Sequence, residues 1–303
     1  MKPPEITVVV VTYNSEQVIG DLLDSLPAAL AGLRAEVIVV DNSSTDDTLE
    51  QVRVHADPHA EPLPLRFIVE PNHGYAAGLN AGVRAARGAG PILALNPDTR
   101  LAPGAIAAML RALGPGVGVA APRIVNADGS LFWSQRRQPS LLRSIGLGRT
   151  GWPMFSEEVR EPDSYDHTAC PDWALGAALL VSRECHELLG GWDESFFLYS
   201  EETDLCLRAR DAGLRTVFVP DAVVTHIGGA SGRSATTYAI ESVNRVRLYR
   251  RRHGRAGSAA FYALALLAEL SRAARGRPES RTALRALTRL PKVGEALPWS
   301  AVS

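Results

Sequence analysis

Residues 6–15 read Ile-Thr-Val-Val-Val-Val-Thr-Tyr-Asn-Ser: an almost unbroken β-branched run that ends in a polar triplet, after which a helical pattern begins. Apolar side chains at consecutive rather than alternate positions belong to a strand buried on both faces, as in the interior of a parallel sheet covered by helices. The same strand, loop and helix return. Residues 35–40 are apolar apart from Glu36 and stop at Asp41-Asn42-Ser43-Ser44, after which Thr45-Asp46-Asp47-Thr48 offers capping groups to a helix, with Glu50 or Gln51 reaching back. Residues 67–69 form a third short strand, followed by the glycine-spaced segment 72–82. A fourth, 91–95, ends at Asn96-Pro97-Asp98. Strands alternating with helices predict an α/β fold with a mainly parallel sheet flanked by helices. In such sheets ligands gather at the carboxyl ends of the strands, where every polar group just named falls, so the sequence predicts one site.

Working outward, residues 103–113 predict a helix and 117–121 a strand. Residues 126–172 are polar, proline-rich and weakly periodic, which predicts a long, partly mobile excursion. Residues 173–181 are expected as one strand, 183–189 as a helix, Gly190-Gly191-Trp192-Asp193-Glu194 as a turn, 201–212 as a helix closed by Gly213, and 216–219 as a strand. Beyond Gly232 the pattern is helical and basic.

A chain of 303 residues has room for one large or two modest domains. With 46% apolar and 21% charged residues, and Gly and Pro spread along the chain, collagen-like, coiled-coil and wholly disordered classes are excluded. No apolar run approaches the roughly 18 residues of a spanning helix, and residues 1–5 lack a signal-peptide pattern. Cys170, Cys185 and Cys206 match neither a disulfide framework nor a metal clip, so a reducing, cytoplasmic setting is expected. The net charge of −1 hides an asymmetry: residues 245–292 hold 13 Arg or Lys against Glu269 and Glu279 alone, on an otherwise acidic chain. Such a tail suits an anionic surface, phospholipid rather than nucleic acid, although a solvated helical face explains it equally well.

Thr12-Tyr13-Asn14 beside Asp41-Asn42 offers an aromatic shelf, a carboxylate and an amide to a planar base; ordinary capping explains the same residues. Gly74-Tyr75-Ala76-Ala77-Gly78-Leu79-Asn80-Ala81-Gly82 lets backbone approach a phosphate at a helix start, or lets a helix pack closely. It is neither a dinucleotide fingerprint nor a Walker loop, and the absence of G-x-G-x-x-G after the first strand disfavours a nicotinamide dehydrogenase. Asn96-Pro97-Asp98 holds a carboxylate just past a buried strand, poised for Mg²⁺ or Mn²⁺ completed by phosphate oxygens and water. Glu201, Glu202 and Asp204 crowd three carboxylates at a helix start. The helix dipole and an Asp204–Arg208 pair explain part of this, but neighbouring like charges also raise proton affinity, as a general base requires. His226, near Gly228-Gly229, is a metal- or phosphate-ligand candidate.

In order along the chain, Val11-Thr12-Tyr13-Asn14-Ser15, Val40-Asp41-Asn42-Ser43-Ser44, Asn72-His73-Gly74-Tyr75 with Asn80, Asn96-Pro97-Asp98, Asp172-Trp173 with Gly176-Ala177, Gly190 to Glu194, Phe196-Phe197, Glu201 to Asp204, and His226 with Gly229 and Ser231 resemble the inverting family 2 glycosyltransferases of GT-A fold, in the bacterial rhamnosyltransferase-like branch. The resemblance implies a Rossmann-like GT-A domain over residues 1–235, with a nucleotide half to about 122 and an acceptor half from 123, followed by a helical basic extension, 236–303. It implies that Thr12, Tyr13, Asn14, Asp41 and Asn42 hold the nucleoside, that Gly74, Asn80, Asn96, Trp173 and Gly176 line the sugar-nucleotide pocket, and that Asp98 and His226 hold the metal. It further implies that Glu202, with Glu201 and Asp204 as alternatives, deprotonates the hydroxyl of a glycan or polyprenyl-linked acceptor. The branch tilts the donor toward dTDP-rhamnose. Two departures stand out: Asn96-Pro97-Asp98 replaces an Asp-X-Asp, and Glu202 stands where the family often has Asp. A sugar-nucleotide nucleotidyltransferase and a non-enzymatic polybasic module are the rival readings. The first lacks a basic glycine-rich loop near its start, and the second leaves the acids at the strand ends unexplained.

Overall fold

A computed structural model describes residues 4–56, 64–145, 147–150, 152–228 and 234–290; Gly229, Ser231 and the stretch 291–303, which includes Lys292, lie outside the described residues. The quoted run is strand β1 (Ile6–Thr12), flanked in parallel by β2 (Ala35–Asp41) and β4 (Ile92–Leu95), and all seven of its residues are buried. Alternate residues feed two cores. Ile6, Val8 and Val10 pack with Ile19, Leu22 and Leu26 of α1 (Ile19–Ala29), while Val9 and Val11 pack with Leu79 of α3 (Tyr75–Ala85) and Leu205 of α7 (Glu201–Asp211) on the other face. This two-faced burial produces the unbroken apolar pattern.

With α2 (Thr48–His55), β3 (Leu65–Val69), β5 (Thr99–Leu101), α4 (Ala105–Ala112), β6 (Val117–Asn126), β9 (Ala178–Val181), α6 (Arg183–Leu189) and β10 (Arg215–His226), the main sheet runs β3-β2-β1-β4-β9-β6-β10-β5. The pairs from β3 to β4 and the β6–β10 pair are parallel; β9 runs antiparallel to both neighbours, and β5 runs antiparallel to β10. The glycine spacing of α3 serves close packing: a Cβ at Gly82 would meet Val9 Cγ1 at 2.4 Å and one at Gly78 would meet Val11 Cγ1 at 2.7 Å.

Three expectations change. Residues 173–181 are not one strand: β8 (Trp173–Ala174) pairs with β7 (Gln135–Arg136) in a separate ribbon, and Leu175-Gly176-Ala177 breaks the run before β9. The strand expected at 216–219 extends to His226, crossing a register shift at Pro220–Ala222 where a proline cannot donate to the ladder. The excursion 126–172 is fastened: Arg137 pairs with Glu161 at 2.9 Å, and fully buried Tyr165 receives the Gln135 N–H and donates its hydroxyl to the Val159 carbonyl.

The basic tail forms α8 (Ala235–Arg252), α9 (Arg255–Ala274) and α10 (Pro278–Thr288), gathered on a small core of Val243, Val246, Tyr249, Phe261 and Leu287. Part of its basic charge is paired. Arg251 Nη1 lies 2.6 Å from Asp193, Arg252 pairs with Asp211, Arg245 with Glu157 and Arg272 with Glu269. Among the described residues no helix is long and apolar enough to cross a membrane.

Candidate active site

The carboxyl ends of β1, β2, β4 and β10 meet the start of α7 around a cleft of about 300 Å³. On one side stand Asp98, just past β4, and His226, the last residue of β10. The Ile227 N–H donates to the Asp98 carbonyl at 2.9 Å, which ties the two strand ends together, and His226 Nε2 lies 3.2 Å from Asp98 Oδ2. Asp98 Oδ1 is buried with no hydrogen-bond partner among the described residues.

On another side Glu201 and Glu202 enter from the first turn of α7. The chain reaches them through Tyr199 and Ser200, whose φ angles of 65° and 77° lie in the left-handed region that non-glycine residues seldom adopt. Two elements hold that turn. Gly74, at φ 99°, abuts the Phe197 backbone so closely that a Cβ would sit 2.2 Å from the Phe197 carbonyl oxygen, which accepts the Tyr75 N–H at 2.7 Å. From the other side fully buried Asn244 of α8 donates to the Leu198 and Tyr199 carbonyls at 2.9 and 3.2 Å, and Arg247 donates to the Ser195 carbonyl and to Asn244 Oδ1.

Burial pushes the Glu201 carboxyl well above the usual carboxylate range, and neighbouring Glu202 pushes it further; burial also raises Glu202. The Tyr75 phenol, raised by burial, feels the charges of Glu201, Glu202 and Asp98, so these four groups share one electrostatic environment. Tyr75 Oη, Glu201 Oε2 and Glu202 Oε2 join Asp98 Oδ1 as buried oxygens without a partner among the described residues. Buried polar groups are nearly always bonded, so four open oxygens in one cleft mark where the groups of a ligand belong. No group of three His, Cys, Asp or Glu that could hold a metal occurs among the described residues. The Asp98 carboxylate, with one free oxygen and a histidine beside it, fits a cation that takes its other ligands from phosphate and water.

Thr12, Tyr13, Asn14, Asn42, Gly74, Asn96 and Gly176 also line this cleft. Gly176 leaves room for Glu202, whose Cβ and Cγ lie 3.2 Å from where a Gly176 Cβ would be. Asn14 Oδ1 accepts the Thr45 N–H and the Asn42 amide donates to the Gly74 carbonyl, so both also brace the loops. Four expected residues do not line it. Asp41 sits fully buried behind Thr12 and accepts from Thr12 Oγ1, Ser44 Oγ and the Ser44 N–H. Asn80 spends its amide on the Trp192 backbone and Glu194. Trp173 donates to the Arg137 carbonyl. Asp204 turns to Arg208 at 2.6 Å, which also holds the Leu189 and Gly191 carbonyls, so a structural pair accounts for it. The sequence singled out neither the Tyr75 hydroxyl nor Asn244. The tyrosine was absorbed in a glycine pattern, and the asparagine lies in a basic helix with no motif around it.

A family model described as "Glycosyl transferase family 2" matches residues 7–176. The N-acetylglucosaminyl-diphospho-decaprenol L-rhamnosyltransferase of Mycobacterium tuberculosis is 34% identical over 240 residues, covering 72% of this chain and 75% of that protein. The low-salt glycan biosynthesis hexosyltransferase Agl10 of Haloferax volcanii is 31% identical over 212 residues, 68% of this chain and 62% of its own. Among solved structures, the mannosyltransferase PcManGT of Pyrobaculum calidifontis, in complex with GDP-Man and Mn²⁺, matches with a TM-score of 0.57 at 21% identity, covering 99% of this chain and 83% of that one. That likeness shows the fold, the GT-A type that the family resemblance implied. With a family model spanning more than half its length and a relative matched along most of both sequences, the chain belongs to glycosyl transferase family 2.

Proposed function

We propose that this glycosyltransferase moves a sugar from a nucleoside-diphosphate donor to a hydroxyl of a lipid-linked or glycan acceptor in one displacement that inverts the anomeric centre. The observation that carries this reading is the meeting of Asp98 and His226 with Glu201 and Glu202 in one cleft, each acid with an unpartnered oxygen. Glu202 Oε2 takes the proton of the acceptor hydroxyl, and its raised proton affinity suits a base working near neutrality. Buried Glu201 shares that environment, and the Tyr75 hydroxyl offers a neutral donor beside them. Thr12, Tyr13, Asn14 and Asn42 hold the nucleoside at the other end, with Asp41 acting through Thr12. Asp98 and His226 would hold Mg²⁺ or Mn²⁺, which when bound neutralises charge on the departing diphosphate.

Residues 1–122 form the nucleotide half, 123–235 the acceptor half and 236–303 the extension in this reading. The Mycobacterium relative, named a rhamnosyltransferase toward N-acetylglucosaminyl-diphospho-decaprenol, favours a dTDP-rhamnose donor, a polyprenyl-diphosphate acceptor and a peripheral place at the cytoplasmic face of the membrane. Family membership does not favour a nucleotidyltransferase or a mere binding module.

The test is a purified assay with dTDP-rhamnose and prenyl-diphosphate-linked N-acetylglucosamine, with and without Mn²⁺. The expected products are dTDP and an acceptor heavier by one deoxyhexose, with inverted configuration. Glu202→Gln should lower kcat by about 10² to 10⁴ with donor affinity retained. Pyrophosphate as product, or near-full turnover in that variant, overturns the reaction or the base in turn.

A further inference from the structure

A larger feature is left unused by the reaction above. A groove of about 1060 Å³ runs between the excursion and α9, lined by six arginines (Arg143, Arg160, Arg245, Arg272, Arg275 and Arg277) against two acids, Glu157 and Glu158. An adjoining hollow of about 370 Å³ shares Arg143, Arg245, Arg272 and Arg277 and reaches Glu241 of α8. Glu241 lies one turn of α8 before Asn244, which holds the Tyr199 carbonyl two residues ahead of Glu201, and the Glu241 charge is felt at Glu202, so the inner end of this hollow lies toward the loop that carries the proposed base.

The arginines are not equally engaged. Arg245, Arg160 and Arg272 pair with Glu157, Glu158 and Glu269. Among the described residues the Arg275 side chain bonds only to Ser271, one turn back, and Arg277 stands 3.7 Å from Glu279 with its side chain 65% exposed. Arg143 gives one nitrogen to the Gln138 carbonyl, while its Nε is buried and has no partner among the described residues.

The outer rim is apolar. Of the eleven large apolar side chains exposed among the described residues, seven lie within residues 142–154 and on α9, including Ile145, Leu147, Trp152, Met154 and Leu267. The helix α5 (Leu141–Ser144) and the turn Pro153–Phe155 pack on one another, and α5 packs on α9, so these side chains stand on adjoining elements; of them Ile145 and Leu267 line the groove itself. A ligand matching the whole feature carries a hydroxyl at its inner end, two negative charges in the middle and a hydrocarbon chain outside. Guanidinium groups bind phosphate oxygens in forked pairs, which suits the middle of such a ligand.

We propose that this groove is the acceptor site, in which Arg143, Arg275 and Arg277 bind the diphosphate of a prenyl-diphosphate-linked sugar and the apolar rim takes its hydrocarbon chain. The proposal rests on the transfer reaction for what occupies the inner end, but its test does not. Binding of farnesyl diphosphate, inorganic pyrophosphate and farnesol is measured calorimetrically in the absence of metal, for the native protein and for the double variant Arg275→Glu, Arg277→Glu. Farnesyl diphosphate should bind at least about tenfold more tightly than either fragment, and the double variant should lose about tenfold or more of that affinity, in line with removed charge-assisted contacts. Leu267→Ser should weaken farnesyl diphosphate and leave pyrophosphate unchanged.

Equal affinity in native protein and double variant, or no preference over pyrophosphate, overturns the site. So does binding to phosphatidylglycerol vesicles that farnesyl diphosphate fails to displace, because the occupant is then a bilayer surface. If no donor supports transfer while farnesyl diphosphate binds as described, the reaction falls and the groove stands. If transfer proceeds and both proteins bind the probe alike, the groove alone falls.

Discussion

Glu201 and Glu202 are a cost the fold carries. Desolvation raises both carboxyls in the folded state, so between the ordinary value of 4.5 and the raised values the folded chain binds more protons than the unfolded one. Stability that these groups contribute is fully present below about pH 4.5 and is lost as pH rises through their folded values. Glu201→Gln keeps the shape and removes the charge. Thermal unfolding without metal or nucleotide should therefore show the variant melting higher than the native protein near pH 8, by about 2–4 °C for each kcal/mol relieved. The two should converge below about pH 4.5. Identical melting curves at neutral pH would mean that Glu201 is ionised at no cost. At this scale residue types were legible and directions were not. Asp98, Glu201, Glu202 and His226 stood out as chemistry at strand and helix ends. Nothing in the letters tells that Asn80 turns to the Trp192 backbone or Asp204 to Arg208, because a hydrogen-bonding side chain reads the same whichever neighbour takes it.

The elements were legible where burial imposes a period. β1 and β2 announced themselves because both faces are covered, and the helix that closes at Gly213 follows from its left-handed φ of 85°. The break between β8 and β9 was hidden, since Leu175 to Ala177 is as apolar as its flanks, and only the contact of Gly176 with Glu202 gives the interruption a purpose. α8 was read as a charged helix, whereas one of its faces grips the loop that delivers the acids. Asn244→Ala would remove the amide that donates to the Leu198 and Tyr199 carbonyls, at a cost of about 1–3 kcal/mol. Because those carbonyls precede the left-handed turn at Tyr199 and Ser200, kcat should fall more than donor affinity changes. Stopped-time kinetics beside thermal unfolding separate the outcomes: a stability loss at unchanged kcat would make Asn244 a packing residue only.

Across the whole molecule the charge asymmetry is partly internal. The acidic body and the basic tail meet through Arg245–Glu157, Arg251–Asp193 and Arg252–Asp211, so part of the tail's charge is directed inward. A count along the chain cannot distinguish this from a lipid-facing patch, because both need the same excess of arginine; only the packing of α8 on the loop before α7 decides. The Arg251–Asp193 pair tests the distinction, being partly shielded from solvent and joined by a 2.7 Å bond from Arg251 to Ser195 Oγ. Arg251→Glu should lower the melting temperature, and Asp193→Arg in the same chain should restore part of the loss. The coupling should be about 0.5–3 kcal/mol and shrink as salt rises. Binding to anionic vesicles should be the same for native protein and Arg251→Glu, since that guanidinium already has its anion. If the substitution instead spares stability and weakens vesicle binding, α8 faces lipid, and the tail's arginines serve the membrane rather than the loop that carries Glu201 and Glu202.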